Sequence, residues 1–183
     1  MSEENIIQHC SPTLAGLKSA AMFSTPFTTR CEAMAAVARL NGSVSPFGLK
    51  AVLLRYRSQR ALIYIYRPLM LSKELRSPEA SELLESRGYC FSTADEGVEQ
   101  LKRKVEECPS IPHEIGLFLG YPPEDVKGFI DNKAACYKCS GYWKVYGDED
   151  RARCLFSEYS ECTRSYLEKL RKGAGLESLI IPA

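Results

Sequence analysis

Hydrophobic positions change their period several times along the chain, and each change predicts an element. In TTRCEAMAAVARLNG (28–42), Ala33, Met34, Val37 and Leu40 recur at helical spacing, and Asn41-Gly42 supplies a stop. LKAVLLRYRSQRALIYIYRP (49–68) turns to β-branched and aromatic runs on either side of Ser58-Gln59, which predicts a β-hairpin. Val52, Leu53 and Leu54, and then Leu62, Ile63, Tyr64 and Ile65, leave neither face clearly polar. These strands are therefore expected to be covered on both faces, with Pro68 ending the second. Helical signals return at Ser77-Pro78, with Glu79 in the first turn and Gly88 as terminator. TADEGVEQLKRKVEEC (93–108) opens on a capping box from Thr93 to Glu96 and carries Val98, Leu101 and Val105 on one face.

SIPHEIGLFLGYPPEDVKGFI (110–130) reads as two short helices separated by Gly120 and a Tyr-Pro-Pro elbow. CYKCSGYWKVYG (136–147) sets Cys139, Trp143 and Val145 against Lys138, Ser140, Tyr142 and Lys144, which predicts a half-buried strand interrupted at Gly141. A long helix over about 148–172 follows, with Leu155, Tyr159, Cys162, Tyr166 and Leu170 as its stripe and Gly173 past its end. LESLIIP (176–182) is expected to add a last short strand. At the other end, HCSPTLAGLKSAAMFS (9–24) offers Ser11 as an N-cap and Pro12 at a first helical position, with a strand over 15–23 as the alternative. Together these elements predict a single α+β domain over 1–183: a small, mainly antiparallel sheet packed with several helices.

Composition narrows the function classes. A chain of 183 residues, 45% hydrophobic and 26% charged, is large enough to bury a core. A net charge of +1 provides no global attraction to nucleic acid or to an anionic membrane. No apolar run approaches the ~20 residues of a membrane helix, and MSEENIIQHCSP lacks the basic start and apolar core of a secretory signal. The expectation is a cytoplasmic protein without nucleic-acid or membrane partners. Its eight cysteines are then expected to be mostly free thiols.

Cys136-x-x-Cys139 is the loudest motif, but no second pair completes a four-ligand zinc set, and residues three apart on a strand point to opposite faces. No metal site is assigned. Phosphate-binding glycine loops and a serine nucleophile elbow are absent. GYWKVYG would make a stacking platform for a flat ligand, with Lys144 adding charge, or simply a well-packed strand. His9-Cys10 and His113-Glu114 remain. If Ser11-Pro12 opens a helix, Cys10 lies just before its N-terminus, where unpaired N–H groups favour a thiolate. His113 follows Pro112 in another first turn, where the helix dipole favours a neutral imidazole. The plainer reading makes both histidines helix-end caps.

Several blocks, in order, resemble the bacterial domain of unknown function 3793 family: HCSPTLAGLKSAAMF, IYIYRP, IPHEIGLFLGYPPEDVKGFI, YKCSGYWKVYGD and YSECTRSYLEKL. The resemblance spans nearly the whole chain, and PHEIGLFLGYPPEDV is its most specific part. It implies a cytoplasmic protein of the kind found chiefly in anaerobic bacteria, and it implies no particular activity. The matching blocks contain Cys10, Lys18, His113, Glu114, Tyr121, Trp143 and Lys144, whereas Cys136 is particular to this sequence.

Three functions stay open. Cys10, His113, Glu114 and Lys18 would form a thiol-dependent or small-ligand site, with Tyr121, Trp143 and Lys144 as further binding residues. Alternatively, His9, Cys10, His113 and Glu114 would bind a metal or a cofactor such as haem or flavin in a redox accessory protein with a redox protein partner. The third is an interaction module without chemistry of its own.

Overall fold

The computed structural model describes residues 1–182 and shows an α+β architecture. Its sheet has three antiparallel strands: β1 (Ala20–Pro26), β2 (Lys50–Arg57) and β3 (Arg60–Tyr66), in the order β1-β3-β2. The β2–β3 hairpin turns at Ser58-Gln59 as expected, and both residues take left-handed φ (51° and 56°). That backbone matches the right-handed twist of a two-residue hairpin.

β3 shows why neither face of the hairpin reads as polar. Ala61, Ile63 and Ile65 enter one core while Tyr64 and Tyr66 enter another. The first core is closed by α1 (Glu3–Leu14), α2 (Arg30–Val44) and the C-terminal part of α8 (Glu149–Arg171). The second is closed by α3 (Pro68–Leu75), α4 (Pro78–Ser86), α5 (Ala94–Glu107), α6 (Ile115–Phe118) and α7 (Pro123–Asp131). A bulge at Leu53–Arg55 lets Leu54 enter the second core, and Arg55 donates to the carbonyls of Val105 and Cys108 at the end of α5.

Four expectations are corrected. The first helix begins at Glu3, capped by Ser2, and Pro12 lies near its end rather than at its start. Acids in the first turn, Glu3 and Glu4, complement the dipole there. α2 runs past Asn41-Gly42, because the Asn41 side chain bonds both the N–H and the C=O of Ala51 and so serves the sheet instead of a helix stop. Residues 136–147 form a miniature hairpin, β4 (Cys139–Ser140) and β5 (Lys144–Val145), not one strand. Residues 176–179 form a 3-10 turn, and no strand follows among the described residues.

Candidate functional site

The miniature hairpin and the N-terminal part of α8 carry a third apolar cluster of Trp143, Val145, Ala152 and Tyr159. Tyr121, from the elbow between α6 and α7, packs against both this cluster and the second core. The seam beside it opens as a cleft of about 390 Å³. One wall comes from Pro112, His113, Gly116 and Phe129, the other from Ser140 to Lys144.

Each wall is fixed by identifiable contacts. Tyr64, fully buried on β3, donates its hydroxyl to the carbonyl of Phe118 and ties α6 to the sheet. Gly116 lets α6 approach α7, since a Cβ there would lie 2.7 Å from Val126. Buried Asp125 holds the opposite wall: Oδ2 accepts from Trp143 Nε1 at 2.7 Å, and Oδ1 accepts from the N–H groups of Tyr146 and Gly147 at 2.7 Å each. Trp143 therefore presents a fixed ring, stacked on Tyr121 at 4.9 Å and edge-on to Phe156 at 4.6 Å. Tyr121 donates its hydroxyl to the carbonyl of Tyr142, closing the circuit. Its phenol is pushed up to about 12 by burial, so it stays a neutral donor.

Polar groups free to meet a ligand are few. Exposed His113 sets its ring edge-on to Phe129 at 5.1 Å and makes no side-chain hydrogen bond among the described residues. Lys144 donates to the carbonyl of Ala134 at 2.8 Å and lies over Tyr137. Ala134 sits in a loop where Lys133, Ala134 and Cys136 all take left-handed φ (49°, 64° and 57°). Lys133 takes this conformation as the residue that follows the cap of α7.

His113, Tyr121, Trp143 and Lys144 thus meet in one place, although 30 positions separate His113 from Trp143. Glu114 is turned inward and accepts a hydrogen bond from Tyr89. Lys18 is buried behind Tyr121, its ammonium 5.0 Å from the ring centroid. His9 stacks on Phe23 at 5.6 Å, away from the cleft lining. Cys10 lies in the middle of α1 inside the first core, so the expected helix-start thiolate has no structural basis. Burial pushes its thiol up to about 12, with Lys18 pulling the other way. Cys136 is exposed and Cys139 half-buried, both as free thiols. Among the described residues, no group of three or more His, Cys, Asp or Glu side chains is arranged to hold a metal ion, and no helix is long and apolar enough to cross a membrane.

Sequence reasoning missed Phe129 and the role of Asp125. Phe129 reads as ordinary helix stripe, and Asp125 as a first-turn acid; nothing local marks three donors arriving from 18 to 22 positions away.

Searches of curated proteins and of solved structures return no match. A family model described as a protein of unknown function (DUF3793) matches residues 6–180, spanning the sheet, both cores and the cleft. The chain belongs to that family.

Proposed function

We propose that this protein binds a small, flat, mainly apolar molecule in the cleft between the 111–129 segment and the 140–144 hairpin. The observation that carries this reading is the convergence of Tyr121, Phe129, Tyr142 and Trp143 on one cavity whose single carboxylate is engaged in three hydrogen bonds within the protein. A volume of about 390 Å³ suits a one- or two-ring ligand. Rings fixed by packing stack on a flat partner at little entropic cost. Cys10 has no part in this site.

Trp143 is the sole tryptophan, so its indole N–H gives one resonance in a ¹H–¹⁵N spectrum. Titration with 2-naphthamide and 2-naphthoate should move that resonance saturably. Ser140→Phe, which fills the exposed rim of the cleft, should abolish the movement. No saturable shift with either probe at millimolar concentration would overturn the reading.

A further inference from the structure

Lys144 is the only lysine or arginine among the described residues that line the cleft. Asp125 is the only acid in its lining, and its two oxygens already accept three hydrogen bonds. Lys144 has no ion-pair partner among the described residues; it spends one N–H on Ala134 and keeps two. His113 lines the same cleft and makes no side-chain hydrogen bond among the described residues. The Ala134 carbonyl that aims Lys144 is held by the turn that ends α7, where the N–H groups of Lys133 and Ala134 donate to the carbonyls of Ile130 and Phe129.

We infer that the ligand is a planar carboxylate, its ring between the aromatic walls and its carboxylate on Lys144 Nζ, with His113 at the mouth. This rests on the reading that the cleft binds a small molecule and names the class it takes. In an apolar, partly water-excluded seam, an ammonium is worth more to an anion than it is in bulk water. A monoanion fits better than a phosphoryl dianion. The lining has no arginine fork, and the first turn of α7 carries Glu124 and Asp125, which repel added negative charge. One ammonium and one imidazole supply donors enough for a carboxylate.

The probe pair separates this inference from the binding reading, because 2-naphthoate and its neutral isostere 2-naphthamide differ mainly in charge. Followed by the Trp143 indole resonance at pH 7 and low salt, naphthoate should bind about ten-fold more tightly, as a charge-assisted hydrogen bond warrants. Lys144→Met should reduce that preference to less than about two-fold, and Lys144→Arg should keep most of it. Added salt should weaken naphthoate binding in the unmodified protein and spare naphthamide, a readout that needs no variant to fold. Equal affinities for the two probes, a preference that survives Lys144→Met, or equal salt responses would each overturn the carboxylate assignment while leaving the binding site standing. Failure of both probes would remove the binding reading and this inference together.

Discussion

Lys18 carries a charge at a measurable cost to stability. Burial holds its ammonium down to about 8, against an ordinary 10.5, although Cys10 and Glu74 pull it upward. Below pH 8 the lysine is protonated in folded and unfolded chains alike, so the full penalty applies. Between about 8 and 10.5 the unfolded chain binds the extra proton, and this term makes stability rise with pH. Lys18→Met keeps the stem packing and removes the charge. It should stabilise the protein by about 3 kcal/mol at pH 7, narrowing toward zero near pH 10.5, read from denaturant melts of both proteins across that range. A variant no more stable than the parent at pH 7 would contradict this account. Of the residues that line the cleft, His113 and Trp143 were legible at this scale as rare types, one of two histidines and the sole tryptophan. Cys10 was not, since Ser11-Pro12 looks the same whether a helix starts or ends there.

At the scale of elements, the β2–β3 hairpin pairs as its pattern predicts but with unsuitable turn residues. Ser58 and Gln59 both adopt positive φ, a region that costs most L-residues about 1–2 kcal/mol each. Replacing the pair with Asn-Gly, the preferred residues for such a turn, should stabilise the protein by about 1 kcal/mol, measured by thermal unfolding. A loss of stability would mean that the Ser58 or Gln59 side chain makes a contact that outweighs its backbone cost. The 136–147 segment shows the opposite case. Its alternation is real, but Gly141 lets the ring of Phe156 approach where a Cβ would lie 2.4 Å from it, so the chain folds back there.

Over the whole molecule, β3 is shared by two cores, and Tyr121 joins the second core to the cluster around Trp143. Arg67, at the end of β3, binds the carbonyls of Thr13 and Leu14 at the end of α1 and that of Ile181 near the C-terminus. We expect unfolding in one transition, with helical circular dichroism and Trp143 fluorescence lost together. Arg67→Met should lower both midpoints equally, by about 3 kcal/mol of stability, because three carbonyls lose a charged donor. Separate transitions, or a shift confined to one probe, would show that the cluster around the cleft melts independently.

Element identity was set largely by local sequence. Capping boxes, proline at first turns and apolar strand runs act through neighbouring backbone and mark α4, α5 and the β2–β3 hairpin, whereas Asn41-Gly42 is overridden by the bonds of Asn41 to Ala51. The cleft was decided by tertiary structure. Its walls lie far apart along the chain, Asp125 draws its donors from another element, and Cys10 becomes inert because α1 turns it into a core. Solvent exclusion and long-range contact set these properties, and neither is written in the spacing of residues along a chain.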